Sequence, residues 1–332
     1  MEHQNSVVSS PLVRGESFTL SALADTYMAG YKALDPYFGS RLQFFVEILG
    51  SKNACDIDAD DVQDCLDILT NRGKLHNRGG TKPGGEMTKV NKPLAPATVN
   101  RYRTSLQAVL TWARKKRLMP KGWTNPVNDT ERLGEDNART RYLNTDEYER
   151  LIKMARISCW NKLTALIIMA VTTGGRKGAL MNLKWQDVDL DNGEAFVHRT
   201  KNGEPFVLVL LPELVAELRR FKAGTKPDEL VFCGQNPCRP MNFTKAWKRA
   251  VIDARLEDGP EVAPKDRLCF HSLRHSHASW LAKQGTPLLA IAESMNHKSL
   301  AMTKRYAHLC IDSRKEMLRK TFQGGQMMTQ GA

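Results

Sequence analysis

The chain has 332 residues, 41% of them hydrophobic, and its 49 Lys and Arg outnumber 36 Asp and Glu to give a net charge of +13. That length suffices for two buried cores and the apolar share excludes a disordered chain, while the basic excess favours a polyanionic partner. Seven cysteines are too sparse for a disulfide framework, and Cys233 and Cys238 have no second close pair to complete a structural zinc site. The polar start carries no signal pattern and the longest apolar run, 163–171, is too short to cross a bilayer, so the expected compartment is the cytoplasm and no membrane is involved.

Residues 1–17 are polar and aperiodic and read as a loose tail. From Thr19 a helical face forms with Leu20, Leu23, Ala24, Tyr27 and Met28, followed by a second apolar stretch over 42–49. A third helix begins after the cap Asp58 and carries Val62, Cys65, Leu66 and Leu69 on one face. Residues 73–96 are rich in glycine and base, with Lys74, Arg78, Lys82, Lys89 and Lys92 against one acid, Glu86, and read as a flexible loop that contacts DNA. Helix 97–118 has the apolar stripe Val99, Tyr102, Leu106, Val109, Leu110 and Ala113. Its separate polar stripe, Asn100, Thr104, Gln107, Thr111 and Arg114, has the side chains that can lie in a DNA groove, or simply form a solvated face.

Pro120 to Arg139 reads as a linker, with Pro120, Gly122, Pro126 and Gly134. A new domain opens at the cap Asn144 with Glu147 three residues on, and helical segments follow near 146–156 and 160–172. Strand-like runs at 195–199 and 205–210 flank Lys201-Asn202-Gly203, a hairpin signal that puts Lys201 at the tip. The remainder is helical, with stripes at Leu214, Leu218, Phe221 and at Leu288, Ile291, Ala292, Met295; Ile311, Leu318 and Phe322 make a last short stripe.

The chemistry lies in an ordered set: Arg176, Lys201, His271, Arg274, His297 and Tyr306. A tyrosine hydroxyl, with a free pKa of about 10, attacks phosphate usefully only when cationic donors surround that phosphate. Arginine suits the task because its planar fork bonds two oxygens at once. Taken singly each element is commonplace; the six in order point to cleavage of a phosphodiester that leaves DNA on a tyrosine. His271, His275 and His277 offer a competing metal reading, which the neighbouring Arg274 and the lack of a carboxylate ligand weaken.

At this point the sequence resembles the tyrosine recombinases, the family of phage integrases and Xer-type resolvases. The matching stretches are Thr173-Gly174-Gly175-Arg176 through Leu183-Lys184-Trp185-Gln186-Asp187-Val188, then Thr200-Lys201-Asn202-Gly203, His271-Ser272-Leu273-Arg274-His275, and His297 through Tyr306-Ala307-His308. The resemblance implies a mainly α fold: a helical core-binding domain at 18–119, a linker at 120–139, and a mainly helical catalytic domain with a small antiparallel β-sheet at 140–322, followed by a tail at 323–332. The two domains would form a C-shaped clamp on double-stranded DNA, and the tail before residue 18 looks too short for the arm-binding domain of some phage integrases.

The resemblance further implies that Arg176 and Arg274 clamp the scissile phosphate, Lys201 protonates the leaving 5′ oxygen, His271 assists proton transfer at the tyrosine, His297 bonds a phosphate oxygen, and Tyr306 forms a 3′-phosphotyrosine. No cofactor or metal is implied, and the partners are DNA recombination sites, a homotetramer on that DNA and accessory DNA-bending proteins. The implied task is integration or excision of a phage or mobile element, with a Xer-type resolvase, a type IB topoisomerase-like enzyme or a catalytically weak DNA-binding relative as alternatives. Two departures stand out: Ala179 occupies a position where the family has an acid, and Met295-Asn296 replaces Leu-Gly before the late histidine. Asn tolerates the left-handed backbone that the glycine would adopt.

Overall fold

Amphipathic stripes and capping boxes set the helices of this protein. The computed structural model describes residues 17–32, 35–77, 87–90, 93–136, 141–198 and 205–322. The chain divides into two compact units, Met1–Asn137 and Ala138–Ala332.

The first unit holds α1 (Leu20–Ala29), α2 (Phe38–Leu49), α3 (Ala59–Arg72) and α4 (Pro96–Lys115). Thr19 caps α1 and Asp58 caps α3, where Asp58 and Asp61 accept each other's backbone N–H in a closed capping box. The expected faces meet in one core, with Leu20, Leu23, Phe45, Val62, Leu69, Leu106 and Leu110 buried. Proline at the start of α4 loses no helical bond, because the first N–H groups of a helix have no partner within it.

Two expectations change here. The basic stretch expected as a loop contains an antiparallel hairpin, β1 (Lys74–Asn77) with β2 (Met87–Val90), Lys74 lying opposite Val90. Glycine and proline density signalled a loop, whereas four-residue strands carry too little alternation to be seen in sequence. Lys74 and Lys89 lie on these strands; Arg78, Lys82 and Lys92 lie outside the described residues.

The second change concerns the stretch expected as a linker, much of which packs on α4. A 3-10 turn, Pro126–Asp129, inserts fully buried Val127. The α4 polar stripe is what holds it. Asn100 is buried, donating to Leu133 O at 2.8 Å and Glu135 Oε1 at 2.7 Å and accepting from the Leu133 N–H at 3.1 Å. Gln107 donates to Asn128 and Thr111 accepts from Asn125. Buried Arg103 donates to the Thr130 hydroxyl at 2.8 Å and to the Val127 and Thr130 carbonyls. Asn100, Gln107 and Thr111 therefore spend their polar groups inside the unit, while Thr104 and Arg114 stay exposed.

The second unit begins with α5 (Thr145–Arg156), whose capping box joins Asn144 and Glu147. Then comes α6 (Leu163–Thr173), apolar almost all round and almost wholly buried, as a helix through the middle of a core must be. Around it lie α7 (Lys177–Met181), α8 (Pro212–Arg219) and α9 (Thr244–Asp253). A three-stranded antiparallel sheet runs β3 (Val188–Asp189), β4 (Glu194–Val197), β5 (Phe206–Val209), with Phe196 opposite Val207. Lys201 falls between β4 and β5, outside the described residues.

The site is carried by α10 (Phe270–Lys283), α11 (Leu288–Ser294), 3-10 turns at Leu300–Met302 and Lys304–Cys310, and α12 (Ile311–Phe322). Ala278, Ala282, Ile291, Met295 and Tyr306 form a small second core of their own. The stripe Ile311, Leu318 and Phe322 on α12 is exposed. No helix among the described residues is long and apolar enough to cross a membrane.

Candidate active site

The site assembles around the end of α6. Gly174 terminates that helix at φ +62, a left-handed conformation that glycine adopts without strain. A Cβ at Gly174 would lie 2.6 Å from the His277 ring. His277 is itself pinned, Nδ1 to Val171 O at 2.9 Å and Nε2 to the Ser294 hydroxyl at 3.0 Å, so it locks the end of α6 to α11. Two residues past the glycine comes Arg176.

The end of α11 supplies the other half. Asn296 sits at φ +48, and the N–H groups of Asn296 and His297 bond back to Glu293 O and Ala292 O, both at 2.9 Å. These are the two bonds of a Schellman motif, and Asn fills the left-handed position as anticipated. Arg274 donates to Met295 O at 2.6 Å and also to Gly174 O. Arg176 donates to Asn296 O at 3.2 Å. The two arginines are thus aimed by carbonyls of one turn, and among the described residues neither pairs with a carboxylate.

Burial lowers the Arg274 pKa to about 10, helped by the charge of Arg176, and burial also lowers that of Arg176. His297 holds the buried Thr303 hydroxyl through Nδ1 at 2.8 Å. Its pKa is pushed down to about 4, first by burial and then by Arg274, Arg176 and Arg305, so its ring is neutral at neutral pH. Tyr306, on the 3-10 turn, is 5% exposed. Burial raises its pKa, and the charges of Arg305 and Arg274 oppose that rise. Its hydroxyl lies 2.6 Å from His275 Nδ1.

Four of the six expected site residues, Arg176, Arg274, His297 and Tyr306, therefore come together. His271 is on the same helix face, but its side chain is exposed, and its ring stands edge-on to that of His275 with centroids 5.0 Å apart. His275 and His277 have different partners, Tyr306 and Val171, and no group of His, Cys, Asp or Glu that could hold a metal ion occurs among the described residues. Ala179, on α7, lines a cavity of about 840 Å³ shared with Arg176, Lys184, Asp187 and His198. Asp187 in that wall meets His198 Nε2 at 3.1 Å.

Sequence reasoning raised His275 and His277 only as metal-ligand candidates, and did not single out Arg305. Arg305 was flagged by nothing except adjacency to Tyr306. His275 stood four residues after His271, a spacing that puts both on one helix face.

The model of the phage integrase family matches residues 141–311. The integrase of Salmonella phage P22 is 26% identical over 294 residues, covering 81% of this chain and 70% of that protein. Tyrosine recombinase XerA of Saccharolobus solfataricus is 24% identical over 246 residues, 74% of each chain. Among solved structures, a lambda integrase dimer bound to a COC′ core site is similar with a TM-score of 0.62 at 20% identity, over 88% of this chain and 78% of that one. The Tn1549 transposon integrase, in complex with a circular intermediate DNA, is similar with a TM-score of 0.64 at 20% identity, over 91% and 100%. Mainly helical, with a small antiparallel sheet and a late tyrosine among arginines, this is the tyrosine recombinase fold. The chain belongs to the phage integrase family, and is a site-specific recombinase that cleaves and rejoins DNA.

The glycine at the end of α6 can be tested against one close by. Gly174→Ala should lose about 1–2 kcal/mol from the left-handed backbone alone, in addition to displacing His277. Gly178→Ala, with nothing within 4 Å of its added Cβ, should be neutral or more stable by up to about 1 kcal/mol. Urea unfolding of the two variants checks this; equal stabilities would mean that the Gly174 turn is not under the stated constraint.

Proposed function

We propose that the chain integrates or excises a phage or other mobile element, working in the cytoplasm. Cleavage would pass through a 3′-phosphotyrosine on Tyr306. Arg176 and Arg274 would hold the non-bridging oxygens of the scissile phosphate, and neutral His297 would donate a further hydrogen bond to it. Lys201 would protonate the leaving 5′ oxygen. Attack by a 5′-hydroxyl from a partner strand would then release the tyrosine and join the new strands. The ester keeps the bond energy, so the exchange needs neither ATP nor an added metal.

The observation that carries this reading is a buried tyrosine hydroxyl whose pKa burial raises and two arginines oppose, in a site whose Arg176 and Arg274 have no carboxylate partner among the described residues. Such a site is electrostatically incomplete until an anion enters, and phosphoryl transfer is catalysed mainly by stabilising charge on that anion. The P22 relative is an integrase, which favours the mobile-element role over dimer resolution. The first unit would be the core-binding domain, its basic 74–92 stretch lying along DNA, and the second the catalytic domain. Recombination of two duplexes would use a homotetramer on DNA, with accessory DNA-bending proteins. The exposed stripe of α12 is suited to join neighbouring protomers.

A nicked suicide duplex should give a denaturant-resistant protein–DNA adduct with the wild-type chain, undiminished in excess EDTA. Tyr306→Phe should bind the duplex normally and give none. Adduct formation by the Phe variant, or loss in EDTA restored by Mg²⁺, would overturn the reading. Deleting residues 311–332 should leave binding to a single site near normal and abolish synapsis of two sites. Unfolding of the truncated chain would instead make the α12 stripe part of the unit's own core.

A further inference from the structure

His297 can give a hydrogen bond to phosphate only if its ring proton sits on the nitrogen that faces the phosphate. A neutral imidazole has one N–H and one bare nitrogen, so one tautomer donates at Nε2 and the other accepts there. Burial first, and then Arg274, Arg176 and Arg305, push its pKa down to about 4, so the ring is neutral and takes one tautomer or the other. The bond made by one ring nitrogen decides where the proton lies on the other. Among the described residues, the side-chain bond of His297 is the one between Nδ1 and Thr303 Oγ1, 2.8 Å apart.

Thr303 is fully buried, and its hydroxyl has no other hydrogen-bond partner among the described residues. If Nδ1 held the ring proton, it would donate to Oγ1 and leave the hydroxyl hydrogen buried with no acceptor. Native interiors rarely leave such a group unpaired. With the hydroxyl donating to a bare Nδ1, both atoms are satisfied and the ring proton lies on Nε2. The nearby arginines alone would favour a bare nitrogen toward them. Yet Arg176 and Arg274 do not use the ring as an acceptor, because their guanidinium bonds go to the Asn296, Gly174 and Met295 carbonyls. An anion entering between them removes the pull.

We propose that Thr303 is a positioning residue: its hydroxyl donates to Nδ1 of His297 and so holds the ring as the Nε2–H tautomer, which gives its hydrogen bond to the scissile phosphate. This rests on the reading of His297 as a donor to that phosphate. Both partners are fixed by the backbone. The Thr303 N–H donates to Leu300 O and the Thr303 carbonyl accepts from the Tyr306 N–H, both at 2.9 Å, so Thr303 ends one 3-10 turn and starts the next. The His297 N–H is held by Ala292 O at the end of α11. One side chain thus ties the phosphate donor to the turn that carries the nucleophile. The donor is set before DNA arrives, and no tautomer has to change as charge builds on the phosphate oxygens.

The tautomer is read by ¹⁵N-histidine NMR of the full chain at neutral pH, with the His297 resonances assigned by their loss in His297→Ala. Nδ1 should resonate as a bare ring nitrogen and Nε2 as a protonated one, both in the free protein and in Tyr306→Phe bound to the duplex. The role is read by single-turnover adduct formation on the suicide duplex. Thr303→Val keeps the branched shape and the backbone bonds but has no hydrogen to give. It should bind the duplex as wild type, form adduct about 10–100-fold more slowly, and show His297 with a proton on Nδ1 in part of the molecules. Thr303→Ser should keep the wild-type tautomer and most of the rate. In a His297→Ala background, Thr303→Val should cost no further rate, because Thr303 acts through that ring.

A proton on Nδ1 of His297 in the wild-type protein, free or bound, would overturn the proposal. So would a wild-type rate in Thr303→Val beside a slow His297→Ala, and that pair of results would leave His297 as the phosphate donor. A wild-type rate in His297→Ala would instead remove the reading of His297, and the role of Thr303 with it. An equal loss from Thr303→Val with and without His297 would make Thr303 a merely structural residue. Should Thr303→Val fail to fold, the tautomer in wild type and in Thr303→Ser decides.

Discussion

The site depends on a buried guanidinium with no carboxylate beside it among the described residues. Arg274 is 5% exposed and held by the Gly174 and Met295 carbonyls. Neutral carbonyls orient a cation without cancelling its charge, and removing such a charge from water costs on the order of several kcal/mol. A carboxylate would relieve that cost and fill the place of the phosphate. By using carbonyls, the protein holds Arg274 in place with its charge unneutralised by any carboxylate among the described residues.

That constraint explains the turns at its edges. The carbonyls are presented by two helix ends, Gly174 at φ +62 after α6 and Asn296 at φ +48 after α11. His277 joins the two ends, bonded to Val171 on one side and Ser294 on the other. The same turn that aims Met295 O at Arg274 aims Asn296 O at Arg176 and begins the segment carrying His297 and Tyr306. Burial, and after it the arginines, lower the His297 pKa, and the arginines oppose the rise in the Tyr306 pKa that burial causes. One cluster of positive charge thus acts, after burial, on the titration of both His297 and Tyr306.

Much of this was legible in the sequence where local rules act. The caps Asp58 and Asn144, the faces of α1 and α3 and the apolar run of α6 follow from spacing and residue type, and the left-handed Asn296 follows from the family resemblance. What was not legible depends on contacts between distant residues. Asn100 and Gln107 look like a solvated or DNA-facing stripe until residues 125–135 fold back onto them. The β1–β2 pairing joins strands too short to show a period. The partner of Tyr306 is set by how the 3-10 turn meets α10, so a choice between His271 and His275, one helical turn apart, has no signature in the sequence.

The central claim is that this charge cluster exists to place a phosphate against Tyr306. Digestion of a trapped protein–DNA adduct with protease and nuclease, followed by tandem mass spectrometry, reads the attachment point directly. The account predicts a 3′-linked nucleotide on the peptide that contains Tyr306, and its disappearance in Arg274→Ala although the variant still binds DNA. A nucleotide on any other residue, or an undiminished Tyr306 adduct without Arg274, would contradict it.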